Sequence, residues 1–198
     1  MKEAKVGSVL VVGGGIGGMQ ASLDLANSGF KVYLLEKEAN IGGVMSQLDK
    51  TFPTNDCAMC IMSPKLVEIS RNPNIELITC ADIENVEGTA GNFSVDVKKR
   101  PRRVDIEKCT ACNVCAEKCP VEFLDEFNQG LSVRNPIHIR YPQGVPAAYA
   151  IESEVARCSA ACPAGVDVRG YVGLIAQRRY AEAVELIRDK NQIARVHV

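Results

Sequence analysis

Val9-Leu10-Val11-Val12 is a short apolar run with no polar residue alternating through it. Such a run predicts a strand buried on both faces, as in a parallel sheet. Met19, Leu23 and Ala26 then recur at helical spacing with the small Ser22 beside them. Gly29 stands where a helix C′ residue belongs, and Lys31-Val32-Tyr33-Leu34-Leu35 reads as a second strand. Ser63 and Pro64 fit the N-cap and N1 positions of another helix, given an apolar side by Leu66, Val67 and Ile69 and stopped after Arg71 by Asn72-Pro73-Asn74. Strands are predicted over 75–79, 82–87 and 92–98. In the last of these Phe93, Val95 and Val97 alternate with polar residues beyond the turn Gly88-Thr89-Ala90-Gly91, which describes a half-exposed hairpin. Near the end, Asp167 is a candidate N-cap. Val168, Tyr171, Val172, Leu174 and Ile175 form one apolar stripe and Tyr180, Ala183, Val184, Leu186 and Ile187 another, predicting two short antiparallel helices.

Between the first strand and the first helix lies Gly13-Gly14-Gly15-Ile16-Gly17-Gly18, which fits G-x-G-x-x-G. In that motif Gly13 allows the tight turn, Gly15 admits a pyrophosphate close to the backbone, and Gly18 lets helix and strand approach. The helix N-terminus offers free N–H groups to the anion. Glu36 ends the second strand, where a carboxylate accepts from a ribose hydroxyl; this favours FAD or NAD over a 2′-phosphorylated cofactor. The expected fold class is α/β, with a Rossmann-like dinucleotide-binding βαβ unit and a β-hairpin.

The 198 residues carry a formal net charge of −1, which argues against a nucleic-acid or anionic-membrane partner. No apolar run reaches the roughly 18 residues of a membrane span, and the N-terminus shows no cleavable apolar region, so the expected location is cytoplasmic. Nine cysteines are then unlikely as a disulfide framework in a reducing compartment, and their spacings point to metal. Cys57 and Cys60 form a C-x2-C that alone fits zinc, an iron–sulfur cluster, a dithiol or two small buried residues. Cys80, with no cysteine near it in sequence, reads as a buried structural thiol. The basic run Lys98-Lys99-Arg100-Pro101-Arg102-Arg103 reads as a solvated hinge, or a patch for an acidic partner, and as a domain boundary.

Beyond it, Cys109, Cys112, Cys115 and Cys119-Pro120 match C-x2-C-x2-C-x3-C-P, the bacterial ferredoxin run. Three thiolates on one tight loop hold three corners of a [4Fe–4S] cube, whereas zinc sites usually come as two separated C-x2-C pairs. No second such run follows, only Cys158 and Cys162-Pro163. Either Cys162 completes the cube begun by Cys109, Cys112 and Cys115, or Cys119 completes its own run and Cys158 and Cys162 serve other centres.

The arrangement Glu36-Lys37 with Gly42-Gly43 resembles flavoproteins with two dinucleotide-binding domains, in which the glycine pair lies near the flavin. This resemblance implies FAD, with Gly13, Gly15, Gly18, Glu36, Lys37, Gly42 and Gly43 at the cofactor. The stretch Gln47-Leu48-Asp49-Lys50-Thr51-Phe52-Pro53-Thr54-Asn55-Asp56-Cys57, read with the glycine motif, resembles the flavin-carrying A subunit of heterodisulfide reductases. In that family the matching cysteines lie close to the flavin, so the resemblance implies a redox or cluster-ligand role for Cys57 and Cys60. Residues 158–187 resemble the N-terminal iron–sulfur domain of dihydropyrimidine dehydrogenase and of the glutamate synthase small subunit.

Together these imply a FAD- and [4Fe–4S]-dependent oxidoreductase subunit, with other subunits of a redox complex, a hydrogenase or a ferredoxin as partners and electron bifurcation within the family's range. An NAD(P)H-linked input module and a non-catalytic assembly scaffold are the competing readings. The expected domains are an incomplete dinucleotide unit over 1–100, a ferredoxin-like insert over 101–150 and a helical iron–sulfur segment over 151–198. The later strands that cover the flavin in such proteins do not appear, so the chain reads as an N-terminal portion or a split subunit. Neither His138 nor His197 has a local acid or nucleophile, so no catalytic base is assigned. If Cys162 completes the first cube, Cys162→Ser and Cys112→Ser alter the same reduced-state paramagnetic signal and Cys119→Ser spares it. The reverse pattern selects the four-cysteine run.

Overall fold

The computed structural model describes residues 7–152 and 161–190, and the chain divides into two compact units, 1–152 and 153–198. In the first, β1 (Ser8–Val12), β2 (Lys31–Leu35) and β5 (Ile75–Ile78) form a parallel sheet in the order β1-β2-β5. Val9 stands opposite Val32, and Val32 opposite Ile75. The crossovers are α1 (Ile16–Asn27) and α2 (Ala58–Arg71), while two-residue strands β3 (Lys50–Thr51) and β4 (Asp56–Cys57) pair ahead of α2.

The apolar pattern explains α1. Met19, Ser22, Leu23 and Ala26 are its buried residues, and the Ser22 hydroxyl is satisfied by donating to the Gly18 carbonyl at 2.7 Å. The helix ends in a Schellman arrangement. Gly29, at φ +90°, donates to the Ala26 carbonyl, and Phe30 donates to the Leu25 carbonyl. The start of α2 differs from expectation. It begins at Ala58 with Cys57 as N-cap, and Ser63 and Pro64 lie inside it. Ala58, Met62, Leu66 and Ile69 form one continuous buried stripe, and this burial outweighs the N–H that Pro64 removes.

The core of the unit contains Met19, Val32, Leu34, Ile41, Met62 and Leu66, all fully buried. The edge strand β1 is wetter than its sequence suggests. Its only partner among the described residues is β2, and Val12 is 60% exposed. The hairpin β6 (Ala81–Thr89) and β7 (Asn92–Lys99) is present with a two-residue turn, but Val86 and Phe93 are exposed, so its alternation marks no buried face. Cys80 is buried as expected, and burial pushes its thiol pKa up.

Residues 101–152 continue this unit, so the expected 1–100 and 101–150 segments share one compact body. They contain the four-residue helix α3 (Val114–Glu117) and two short antiparallel pairs. One is β8 (Phe123–Leu124) with β9 (Val133–Arg134), the other β10 (Ile137–His138) with β11 (Ala150–Ile151). The chain then returns to the dinucleotide unit: Tyr141 enters its core, and Ile41 bridges to Val145.

The basic run is solvated at Lys98, Lys99, Arg100 and Arg103, but it is no free hinge, because Arg102 turns inward and is buried at 9% exposure. Its guanidinium donates to the carbonyls of Ala39 (2.7 Å), Ala148 (2.6 Å) and Tyr149 (3.0 Å) and to the Thr79 hydroxyl (3.2 Å).

In the second unit, α4 (Val168–Ala176) and α5 (Tyr180–Lys190) pack on each other, with Ala183 buried. The expected N-cap is present: the Asp167 carboxylate accepts from the Gly170 N–H at 3.0 Å.

Removing the buried cation leaves three carbonyls without their donors. Arg102→Leu should therefore cost about 2–5 kcal/mol of stability, and Arg102→Lys should restore only part of it, because an ammonium cannot span four oxygens. Urea unfolding of the chain checks this; an unchanged midpoint in Arg102→Leu would show that the clamp stabilises nothing.

Candidate functional site

The glycine turn separates positions required by the protein from a position that the protein leaves free. Gly13 adopts φ +96° and donates to the Leu35 carbonyl at 2.7 Å. A Cβ on Gly18 would collide with the Gly13 carbonyl oxygen, so close packing of helix on strand demands glycine there. Gly15 is different. It is the N-cap of α1 in an extended conformation that any residue adopts, and a Cβ built on it meets nothing within 4 Å. No side chain caps that helix end and its first turn holds no acidic residue, so its N–H groups suit an anion.

Glu36 is buried at the end of β2. Its Oε2 accepts from the Gly14 N–H at 2.6 Å and its Oε1 from the Glu38 N–H at 2.9 Å. A carboxylate has about four acceptor positions, so two remain for a ribose. Lys37, largely exposed, lies beside Glu38 with Nζ 3.9 Å from Oε1. Gly42, at φ +132°, donates to the Gly14 carbonyl and leaves room for the Tyr141 hydroxyl, which a Cβ would approach to 2.6 Å. A Cβ on Gly43, at φ +55°, would stand 3.0 Å from the Gly15 Cα.

Some of these residues, though not Gly15, Gly18 or Gly42, line a cleft of about 490 Å³ at the C-terminal end of the sheet, where open α/β folds take their ligands. Gly13, Glu36, Lys37 and Gly43 line one side. The other is built from Phe127, Arg140 and Tyr141, which sequence reasoning did not select. Phe127 stacks on Tyr141 at 5.9 Å between ring centroids, and Tyr141 donates to the Ile41 carbonyl. Burial pushes the Tyr141 pKa well above the ordinary phenol range, so it remains a donor. Arg140 pairs with Glu38 and, at 3.7 Å, with Glu152. The signal for this wall was the Tyr141-to-Pro146 stretch, whose aromatic residue and prolines mark a fixed turn.

Arg140 and Tyr141 also line a second cavity of about 460 Å³, together with Ala111, Asn113, His138 and Tyr149. That cavity adjoins the cysteine loop. His138, expected to have no acid beside it, has one in space: its Nε2 lies 3.4 Å from Glu152 Oε2. Burial and the Arg134 charge nevertheless push its pKa down.

Ala111 and Asn113, both with left-handed backbones, curl the chain between Cys109 and Cys115. The Tyr149 N–H points at Cys109 Sγ at 3.4 Å, and the Tyr149 hydroxyl donates to Asn113 at 2.6 Å. Burial raises the Tyr149 pKa, and the charges of Cys115, Cys109 and Cys112 raise it further. The Cys119 Sγ turns toward the Val121 carbonyl. The Val114 N–H and the Thr110 hydroxyl lower the Cys112 pKa, and such donors to sulfur favour a ligating thiolate. Cys112 and Cys115 are exposed, and among the described residues no three Cys, His, Asp or Glu side chains are gathered closely enough to hold a metal ion. The loop therefore has the donors and the curvature that a cluster needs.

Cys57 and Cys60 are joined by a disulfide, and in that state neither offers a thiolate to a metal. Cys162 is half-buried in the second unit, and Cys158 and His197 lie outside the described residues.

Residues 8–60 match the family described as FAD dependent oxidoreductase, and residues 102–125 match the 4Fe-4S binding domain. The first of two iron-sulfur A subunits of the CoB–CoM heterodisulfide reductase of Methanopyrus kandleri is 54% identical over 152 residues, 76% of this chain and 23% of its own. The corresponding A subunit of Methanocaldococcus jannaschii is 50% identical over 162 residues, 80% of this chain and 25% of its own. The A subunit of the H(2)/formate:CoB-CoM heterodisulfide,ferredoxin reductase of Methanococcus maripaludis is 52% identical over 145 residues, 73% of this chain and 22% of its own. The chain thus spans about a quarter or less of the length of these relatives. Among solved structures, the crystal structure of L-proline dehydrogenase from P. horikoshii is similar over 49% of this chain and 20% of its own, with a TM-score of 0.40 and 24% identity. The resemblance to heterodisulfide reductase A subunits and the two cofactor expectations, FAD and [4Fe–4S], are borne out. No helix among the described residues is long and apolar enough to cross a membrane.

The different reasons for each glycine generate a test. Gly15→Val should abolish FAD binding with at most the small fall in unfolding midpoint that a β-branched N-cap costs, while Gly18→Val should lower the midpoint much further, because its Cβ meets the Gly13 carbonyl. Glu36→Ala should weaken FAD by about ten- to a hundredfold, the worth of a charge-assisted hydrogen bond of roughly 1.5–3 kcal/mol. Flavin fluorescence titration alongside thermal unfolding reads both effects. Undisturbed FAD binding in Gly15→Val would show that the phosphate turn has been misread.

Proposed function

We propose that this chain, similar along most of its length to heterodisulfide reductase A subunits, is the part of such an oxidoreductase that holds FAD beside a [4Fe–4S] cluster. FAD exchanges electron pairs and the cluster single electrons. The observation that carries this reading is that the dinucleotide cleft and the cysteine loop belong to one compact unit and share a wall. Arg140 and Tyr141 line both the cleft and the cavity beside Tyr149, and Tyr149 touches Cys109.

Within that unit the chain's own residues bind and position. The α1 N-terminus and Gly15 accept the pyrophosphate, Glu36 offers its remaining acceptor positions to the ribose, and Lys37, Gly42 and Gly43 border the route toward the flavin. Cys109, Cys112 and Cys115 are the cluster ligands, with the fourth supplied by Cys119 or Cys162. Tyr149 and Val114 donate to sulfur, which tunes the potential of a cluster held there. Other subunits of a redox complex, including a hydrogenase or a ferredoxin, are the proposed electron partners. Splitting of an electron pair between acceptors of high and low potential is the proposed extension of this role.

Purification without oxygen tests the proposal directly. The chain should contain iron and acid-labile sulfide, and changing Cys109, Cys112 and Cys115 together to Ser should remove at least one paramagnetic signal of the reduced protein while leaving FAD binding in place. Zinc without sulfide would end the electron-transfer reading.

A further inference from the structure

Arg140 lines the dinucleotide cleft, yet the protein uses only part of its guanidinium. We infer, on the reading of the cleft proposed above, that Arg140 is a binding residue for the adenosine diphosphate half of FAD, donating to it from the wall that faces Glu36.

The backbone at Arg140 is fixed from both sides. Its N–H donates to Asn40 Oδ1 at 3.3 Å, and the next residue, Tyr141, is buried in the core with its hydroxyl on the Ile41 carbonyl. Asn40 is held in turn by donating through Nδ2 to the Pro146 carbonyl at 2.9 Å. The Arg140 side chain, shielded at 19% exposure, pairs with Glu38, which lines the same cleft. The Glu38 N–H donates to Glu36 Oε1 at 2.9 Å, so Glu38 ties the guanidinium to the residue that meets the ribose.

The donors left over decide the chemistry. Both ion pairs of Arg140, to Glu38 and to Glu152, run through Nη2. Nε is buried with no partner, and among the described residues no acceptor meets Nη1. A buried charged donor without an acceptor is costly, so a ligand rich in oxygen is favoured beside it. The acids that line the cleft are already engaged: Glu36 by the Gly14 and Glu38 N–H groups, Asp82 by Arg100 Nε at 3.2 Å, and Glu38 by Arg140 itself. Lys37, the other cation of the cleft, is largely exposed, so its charge is screened. Paired carboxylates and one shielded guanidinium with donors to spare suit a ribose diphosphate and not a cation. Arg140 thereby complements the uncapped N-terminus of α1, which meets the same diphosphate through backbone N–H groups.

ADP and FMN separate the two halves of the cofactor. The full chain, prepared without oxygen with its clusters loaded, is titrated with FAD, ADP and FMN by calorimetry, and thermal unfolding is followed for each variant. Arg140→Leu should weaken ADP and FAD alike, by about ten- to a hundredfold, the worth of a charge-assisted hydrogen bond, and leave FMN affinity unchanged. Arg140→Lys should show a smaller loss of the same kind, and it carries the test if the leucine variant does not fold. Glu38→Gln breaks the same ion pair but removes a negative charge beside the diphosphate, so it should bind ADP severalfold more tightly. A residue that only holds the wall together would make Arg140→Leu and Glu38→Gln weaken ADP equally, and that result would overturn the inference. So would an Arg140→Leu chain that keeps its full ADP affinity, or one that loses affinity for FAD alone. A chain that takes up neither ADP nor FAD before any substitution would instead sink the FAD assignment on which the inference rests.

Discussion

Arg102 carries a full positive charge into a place where little of it meets solvent, and the first unit is arranged around satisfying it. Burial lowers its pKa, but a guanidinium does not lose its proton in a protein, so the charge must be met by oxygen. Two of its four acceptors, Ala39 and Thr79, belong to the dinucleotide part, and two, Ala148 and Tyr149, to the chain returning from the cysteine loop. Because the fork is planar and rigid, these four oxygens are fixed relative to one another. The clamp therefore does more than stabilise. Tyr149, held through its carbonyl, presents its N–H to Cys109 and its hydroxyl to Asn113. A single buried cation thus fixes the orientation of the cysteine loop relative to the sheet.

Much of the first unit was legible because its constraints are local. A Gly-rich turn between a buried strand and an amphipathic helix needs glycines for reasons that spacing alone reveals, and β2 begins and ends where the apolar run does. The start of α2 was not legible, because Ser63-Pro64 is an ideal local start that tertiary burial overrides: Ala58 and Met62 are both fully buried, so the helix continues back through them. Arg102 was misread for the same kind of reason. Within a run of six residues containing five cations, the one that turns inward has no local mark, and its four acceptors lie 23 to 63 residues away. The cleft wall of Phe127, Arg140 and Tyr141 was hidden because it depends on a long-range return of the chain, which periodicity does not encode.

The roles of Glu36 show how the two kinds of information combine. From the sequence it is the expected ribose acceptor at the end of β2. In the structure it also joins the phosphate turn to the strand that follows, by accepting from Gly14 and Glu38. The two roles are compatible because a carboxylate has more acceptor positions than the backbone uses, and the internal bonds fix the direction of those left over. A carboxylate held from within would meet a ribose with its rotamer already chosen, so less entropy would be lost on binding.

The same economy of position applies to electron transfer, for which proximity matters more than any acid or base. Burial and the Arg134 charge push the His138 pKa down, and the ring sits beside Arg134 and Glu152, which suits a structural ring better than a proton donor. What the unit does offer is a short chain of fixed groups from one motif to the other. Glu36 orders the phosphate turn, and Gly42 binds Gly14 while packing on Tyr141. Tyr141 and Arg140 wall the second cavity, and Tyr149 stands across it with its N–H on Cys109. Each link but the step across the cavity is a hydrogen bond or a close packing contact between groups with little freedom. A dinucleotide and a cluster bound at the two ends would be held at a constant separation, and a fixed separation is the main thing a protein must provide when the carriers supply the chemistry.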